Sequence, residues 1–358
     1  EKLRTKNQIQ VLKNSFKKQR IFGKINKIKV RDKIIDLFLE KEGFIHNNLE
    51  LKKNDKKGYF FISNSKIKKN SLLINVPKKL LIQVDKIKNF KDFDNEFEKE
   101  YFNLLLNNSE YLNFHPLNSK LSEFNEIIDI LKKNENLVGN FKKLYQNFNL
   151  LNKEEKLIKL FTLTRSIFLK KYKKNFFMPI MDFVNHDENG TNYMVSDNSS
   201  VYILSNKVLK KNDEVLVNYT HTDSISFYLK QGFINDDFNS FQIKKNELNF
   251  KINKDMKVNE RFFLKVNDMI KFKENIDFKK NQFSKNVIDF MKIFPADKKL
   301  INMLKILNYY KNTVKYDEKM LYNNKNSIII KNFRKSVELY SKIIDNYSKI
   351  ISNQYEKN

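Results

Sequence analysis

The spacing of apolar residues changes period several times along the chain, and each change marks a boundary. Residues 1–27 carry Lys or Arg in most turns, with Ile9, Val11, Leu12, Phe16 and Ile21 at roughly helical spacing. This predicts a basic arm or loose helix over 1–29. From Val30 to Glu42 the apolar positions Val30, Ile34, Ile35, Leu37 and Phe38 recur at helical spacing, and Gly43 follows where a helix would stop. Tyr59–Ile62 and Leu72–Val76 are short β-prone runs on either side of the polar turn SNSKIKKN. A hairpin or a pair of short strands is expected there, and Pro77 ends the second run because it cannot donate to a ladder.

From about Ile87 to Phe168 the pattern turns helical and charged. Three apolar stripes stand out: Phe97, Tyr101, Leu104 and Leu105; Phe124, Ile127, Ile128 and Leu131; Leu157, Leu160, Phe161 and Leu163. They read as core packing. β-character returns between Phe176 and Asn218, in FFMPIMDFV, in VYIL (Val201–Leu204) and in EVLVNY (Glu214–Tyr219). Ser224–Lys230 reads as one or two helical turns ending at Gly232. Phe241–Ile252 alternates as an exposed hairpin would. After about Asn253 the pattern is helical to the end. Val287, Phe290, Met291 and Phe294 form one stripe, and Met303, Leu304, Ile306, Leu307 and Tyr310 another. The clearest stripe is Phe333, Val337, Tyr340, Ile344, Tyr347 and Ile351.

Composition narrows the chemistry. The 358 residues are 41% hydrophobic, enough for a sizeable core and two domains. No apolar run has the length of a membrane span. The absence of cysteine excludes disulfides, thiolate metal sites and cysteine nucleophiles. Four histidines with no helical pair argue against zinc. Residue 1 is Glu, so the native N-terminus and any targeting peptide are expected upstream of this sequence. The net charge of +27 raises the question of a nucleic-acid partner, but the lysines are scattered, as AT-rich codon usage would scatter them.

The candidate chemistry lies between Met178 and Phe233. MPIMDFVNHDENGTNY opens with one of four prolines, and Asn185-His186 comes straight after an apolar run, so a strand or a buried turn is expected to end in this polar pair. EVLVNY then brings a strand-end tyrosine, and QGF (Gln231–Phe233) follows. No Gly-rich phosphate loop and no Ser-His-Asp set is present.

PIMDFVNH resembles the P-x-x-D-x-x-N-H signature of SET-domain protein methyltransferases. EVLVNY followed by QGF is similar to the E-V-x-x-x-Y and Y-G-F ending of that family. The order of β region, helical block, β region and helical tail, without cysteine, resembles one branch. It contains the plant Rubisco large-subunit lysine methyltransferase and the actin histidine methyltransferase. The resemblance implies an α+β chain: a SET-type β fold with a helical insertion, followed by an all-α C-terminal domain. The SET domain would span 30–240, with its helical insert about 87–168, and a helical substrate-binding domain would span 241–358. The cofactor implied is S-adenosylmethionine (AdoMet).

The resemblance also assigns roles. Lys57, Gly58 and Tyr59 would touch AdoMet through their backbone, where a glycine lets the chain come close to a ligand. Arg165, in TLTRSIF, would face the cofactor's carboxylate with its planar fork of donors. The Asn185 side chain and the His186 backbone would hold the cofactor, and Phe233 would pack near the adenine. Tyr219 would be catalytic. Asp182, Tyr193 and Gln231 would border the substrate channel. Ile167 stands where lysine-modifying members carry an aromatic and the actin-histidine enzyme an Asn, which leans toward lysine.

Four positions depart from the family pattern: Phe60 for a second glycine, Thr220 for Gly, Ser224 for Asn and Gln231 for a channel Tyr. The expectation is therefore methyl transfer from AdoMet to a non-histone protein, at lysine Nζ, by a monomer in cytoplasm or nucleus with neither membrane nor nucleic acid as partner. The alternatives are a SET-derived interaction module with weakened catalysis and a histidine methyltransferase.

Overall fold

The computed structural model describes residues 33–54, 58–87, 93, 95–107, 109–219, 222–235, 238, 240–244, 269–273, 294, 298–314 and 327–355. In chain order its elements begin with α1 (Lys33–Glu40), β1 (Phe44–Ile45), β2 (Leu49–Asn54), β3 (Gly58–Ser63), β4 (Leu72–Val76) and β5 (Ile82–Gln83). The helices α2 (Glu96–Leu106), α3 (Leu121–Leu131), α4 (Glu135–Asn149) and α5 (Lys153–Arg165) follow. Then come β6 (Ser166–Leu169), β7 (Lys174–Phe177), β8 (Asn185–Thr191), β9 (Met194–Val195), β10 (Val201–Leu204) and β11 (Leu216–Val217). The rest is α6 (Ser224–Gln231), β12 (Ser240–Lys244), β13 (Met269–Lys273), α7 (Lys299–Asn312) and α8 (Ile328–Tyr355). The class is α+β.

The chain forms two compact units, one of residues 1–109 with 153–219, the other of 110–152 with 220–358. The first holds β1 to β11 in small sheets. A four-stranded antiparallel sheet has the order β1-β4-β10-β9, a three-stranded one the order β5-β7-β6, and β2 pairs with β3. β8 and β11 run parallel. All five residues of β4 are buried, as befits an internal strand.

Both expected strands after Gly58 form, but not as a hairpin. β3 pairs with β2, a mostly polar strand (LELKKN) whose alternation stops after Leu49 and Leu51, and β4 pairs with β1 and β10. The stop after α1 also differs in detail. The left-handed residue is Glu42, with φ 65°, not Gly43. Gly43 is needed for space, because a Cβ there would lie 2.4 Å from the Phe38 ring. Phe168 belongs to strand β6 rather than to the helical block.

In the second unit the long stripe behaves as its period demands. Phe333, Val337, Tyr340, Ile344, Tyr347 and Ile351 of α8 are all buried, each stabilising the unit by roughly 1.5–3 kcal/mol. Met303, Ile306, Leu307 and Tyr310 of α7 are buried too. Of the hairpin expected over 241–252, residues 241–244 lie in β12, which is antiparallel to β13 in a stretch expected to be helical, and residues 245–252 fall outside the described residues. The arm 1–29 and most of the Val287–Phe294 stripe fall outside the described residues.

Candidate active site

The local chain path explains why the polar cluster forms. After β7 the chain makes a tight 3-10 turn over Met181–Phe183. The turn starts at Ile180, a fully buried β-branched residue with φ 71°. That conformation costs on the order of 1–3 kcal/mol, and such strain persists where the surroundings over-determine it. The turn puts Asp182 in the interior and leads through Val184 into β8. The apolar run before the polar pair is thus a buried turn, one of the two forms expected, and Asn185 and His186 open the strand that follows it.

Tyr219 follows β11 and is held from three sides. Preceding it, Asn218 donates its backbone N–H to the Thr191 carbonyl at 2.8 Å and its side-chain amide to the Glu188 carbonyl at 2.9 Å. The Tyr219 N–H donates to His186 Nδ1 at 3.1 Å, and the two rings lie 5.1 Å apart. Since Nδ1 accepts, the neutral imidazole carries its proton on Nε2. The Tyr219 hydroxyl donates to the Val184 carbonyl at 2.8 Å. The parallel approach behind this arrangement requires Gly190: a Cβ there would lie 2.6–2.7 Å from the Val217 backbone.

Around the same turn stand Asp182, Tyr101, Arg165 and Tyr193. The Tyr101 hydroxyl donates to Asp182 Oδ2, while Asp182 Oδ1 has no hydrogen-bond partner among the described residues. Arg165, at the end of α5, donates from Nη1 to the Asp182 backbone carbonyl at 2.8 Å. Asp182 is 5% exposed. Burial pushes its carboxyl up to about 6, against the opposing pull of the Arg165 charge and the Tyr101 hydrogen bond. The Tyr193 phenol is pushed above its ordinary range by desolvation, and the proximity of Tyr219 and of the Asp182 carboxylate adds to the effect. The arrangement thus gathers two phenols, one desolvated carboxylate and one guanidinium.

Next to this turn is a second set of groups. Tyr59 of β3 packs on Phe183 at 5.1 Å between ring centroids. Gly58, at the start of that strand, has φ +69°, and among the described residues nothing lies within 4 Å of where a Cβ would be, which leaves room for a ligand to approach there. Asn185 donates Nδ2 to Glu214 Oε1 at 2.8 Å. That bond turns its amide oxygen, an acceptor suited to an ammonium group, to the other side and leaves one amide N–H as a further donor. An acceptor amide, an open glycine and a nearby guanidinium fit the ammonium and carboxylate ends of AdoMet.

The first unit thus brings together Tyr59, Arg165, Asp182, Asn185, His186, Tyr193 and Tyr219. Gln231 and Phe233 belong to the other unit. Gln231 ends α6 with its amide buried and Oε1 unpartnered among the described residues. Phe233 packs edge-on against Phe227 at 5.2 Å. Between them, Gly232 caps α6 in the left-handed conformation and lies against His115, a buried histidine. Lys57 and Thr220 lie outside the described residues.

Sequence reasoning missed Tyr101 and the anchoring function of Glu214. Tyr101 sits on an apolar stripe and reads as core. Its hydroxyl was the available signal, since a buried phenol needs a partner. The imidazole of His186 also does something unforeseen, in bracing Tyr219. Among the described residues no cluster of three His, Asp or Glu could hold a metal ion, and no helix is long and apolar enough to cross a membrane.

No family model matches the chain, and no curated protein matches it in sequence. Solved structures do. The SET domain of LSMT bound to lysine and AdoHcy superposes with a TM-score of 0.52 at 11% identity, covering 91% of this chain and 93% of that one. The same domain bound to methyl-lysine and AdoHcy gives a TM-score of 0.50 at 12% identity over the same shares. At such identity the likeness is one of backbone, and it extends over nearly the whole chain. The protein therefore has the SET-domain fold of LSMT.

Proposed function

We propose that the protein transfers a methyl group from AdoMet to a protein side chain, with lysine Nζ as the acceptor. One observation carries the reading: a strand-end tyrosine, Tyr219, has its hydroxyl fixed on the Val184 carbonyl, one residue before Asn185. The bound lysine and AdoHcy of the LSMT structure that shares this fold support it.

AdoMet supplies a methyl group on a sulfonium, so no covalent enzyme intermediate is required. What the chain must do is align and desolvate. Asn185, fixed by Glu214, presents an acceptor to the cofactor's ammonium, Arg165 presents donors to its carboxylate, and the backbone at Gly58 and Tyr59 completes the cradle. Tyr219 orients the acceptor nitrogen. The Val184 carbonyl and the phenol oxygen are suited to weak C–H···O contacts with a polarised methyl. Asp182 and Tyr193 line the acceptor side: the carboxylate draws the side chain in as its ammonium, which must give up its proton to water before the neutral amine attacks the methyl, and desolvation of the channel eases that loss. An anionic Asp182 matches an ammonium better than an imidazole. Ile167, half-buried on β6, offers an imidazole no hydrogen bond. Both favour lysine over histidine. A chain of net charge +27 is a poor match for basic histone tails, so a non-histone protein is the substrate proposed.

The test is methyl transfer from radiolabelled AdoMet to proteins of a cell extract, followed by acid hydrolysis and amino-acid analysis. Methyl-lysine formed by the wild type and absent with Tyr219→Phe supports the proposal. Methyl-histidine would correct the acceptor. No transfer, with AdoHcy still bound, would leave an interaction module built on the same fold.

A further inference from the structure

The stripe of α2 that faces the core contains one residue whose polar group has a specific use. Tyr101 is fully buried between Phe102, at 4.9 Å, and Phe183, at 6.5 Å between ring centroids. A phenylalanine would satisfy that packing equally well. The hydroxyl instead reaches Asp182, 81 residues away in sequence, and donates to Oδ2. A carboxylate with two free oxygens can rotate; one pinned by a phenol cannot. The pin leaves Oδ1 buried and without a hydrogen-bond partner among the described residues. A buried acceptor with no partner is costly to keep, on the order of 1–3 kcal/mol. Such an atom calls for a group to complete it.

We propose that Tyr101 is a positioning residue for the acceptor: by holding one oxygen of Asp182 it reserves the other as the counter-charge that receives the ammonium group of the incoming side chain. The inference rests on the methyl-transfer reading. It adds to that reading a residue from the helical insert, outside the SET motifs, that acts only through Asp182. Among the described residues, the charged and titratable groups around Asp182 are Arg165, Tyr101, Tyr193 and, through Tyr193, Tyr219. Of these only Tyr101 reaches the carboxylate by a side-chain hydrogen bond. Removing that bond raises the carboxyl's affinity for protons, since a hydrogen bond to the ionised form favours that form.

The test compares wild type, Tyr101→Phe and Asp182→Asn in the full chain. Carboxyl titration is followed by carbon NMR of labelled aspartate, with Asp182→Asn assigning the signal. The binding of free L-lysine in the presence of AdoHcy is measured by calorimetry at pH 6.5 and 8.5. In Tyr101→Phe the Asp182 titration is expected to move up by about one pH unit. Lysine affinity is expected to fall about fivefold at pH 8.5 and further at pH 6.5, with AdoHcy affinity unchanged. Asp182→Asn should weaken lysine at both pH values and abolish the pH dependence. It also serves if Tyr101→Phe does not fold. An unmoved titration, or unchanged lysine affinity while AdoHcy still binds, overturns the inference alone. Failure of the wild type to bind AdoHcy overturns the methyltransferase reading and the acceptor role with it.

Discussion

Lowering the pH should weaken the second unit through a single histidine. His115 is fully buried. Its Nδ1 accepts from the Leu117 N–H at 3.2 Å, so Nε2 carries the proton and donates to the Lys230 carbonyl at 3.1 Å. Both ring nitrogens are thus committed in the neutral form, and adding a proton at Nδ1 would break the first bond. Burial pushes the imidazole down to about 4 from its ordinary 6.5, with the Lys230 bond opposing. The folded value is depressed, so the unfolded chain takes up the proton first as the pH falls. The stability contribution is full above 6.5 and is lost between 6.5 and about 4. Linkage puts the loss between pH 7 and pH 5 at about 2 kcal/mol. Urea denaturation followed by far-UV circular dichroism at both pH values, for wild type and His115→Asn, isolates this amount. Other titrating groups cancel in the difference. Asn keeps an acceptor for the Leu117 N–H but does not titrate. If the variant loses as much stability as the wild type between pH 7 and pH 5, the argument fails.

Three further outcomes follow from particular contacts. Gly190→Ala should destabilise the first unit by more than about 3 kcal/mol, because its Cβ meets the Val217 backbone, which cannot step aside as a side chain could; the midpoint of urea unfolding reads this. Arg334→Ala should cost about 1–2 kcal/mol, since Nε and Nη2 both donate to the partly buried Glu126, at 3.1 and 2.6 Å; Glu126→Gln, which keeps an acceptor, should cost less in the same assay. Glu214→Ala should weaken AdoHcy about fivefold by releasing the Asn185 amide, whose hydrogen bond at 2.8 Å fixes its orientation, while far-UV circular dichroism stays unchanged.

The parts of the protein legible in the sequence are those whose signal is local. The apolar stripe of α8 is buried as its period requires, and α6 ends at Gly232, which adopts φ 79°. Tyr219 and Asn185 stand out because motif and strand pattern coincide. The rest depends on partners distant in sequence. β2 is polar and exists through its pairing with β3. β8 (NHDENGT) has no alternation; it is held by a parallel neighbour, β11, that appears only after the chain has returned. β12 finds its partner in β13, across an intervening segment. Tyr101 reads as one more core aromatic because its hydrogen-bond acceptor is 81 residues downstream. Period and propensity report what a segment buries, and only the folded chain shows which polar atom that burial leaves to be satisfied.

The AdoMet site proposed here lies between the turn before β8 and the tyrosine after β11. Calorimetric titration of AdoHcy into the wild type and Asn185→Ala tests it most directly. Binding in the micromolar range by the wild type, weakened at least tenfold in the variant while both remain folded, is the predicted result. A folded wild type that takes up no AdoHcy would contradict the account.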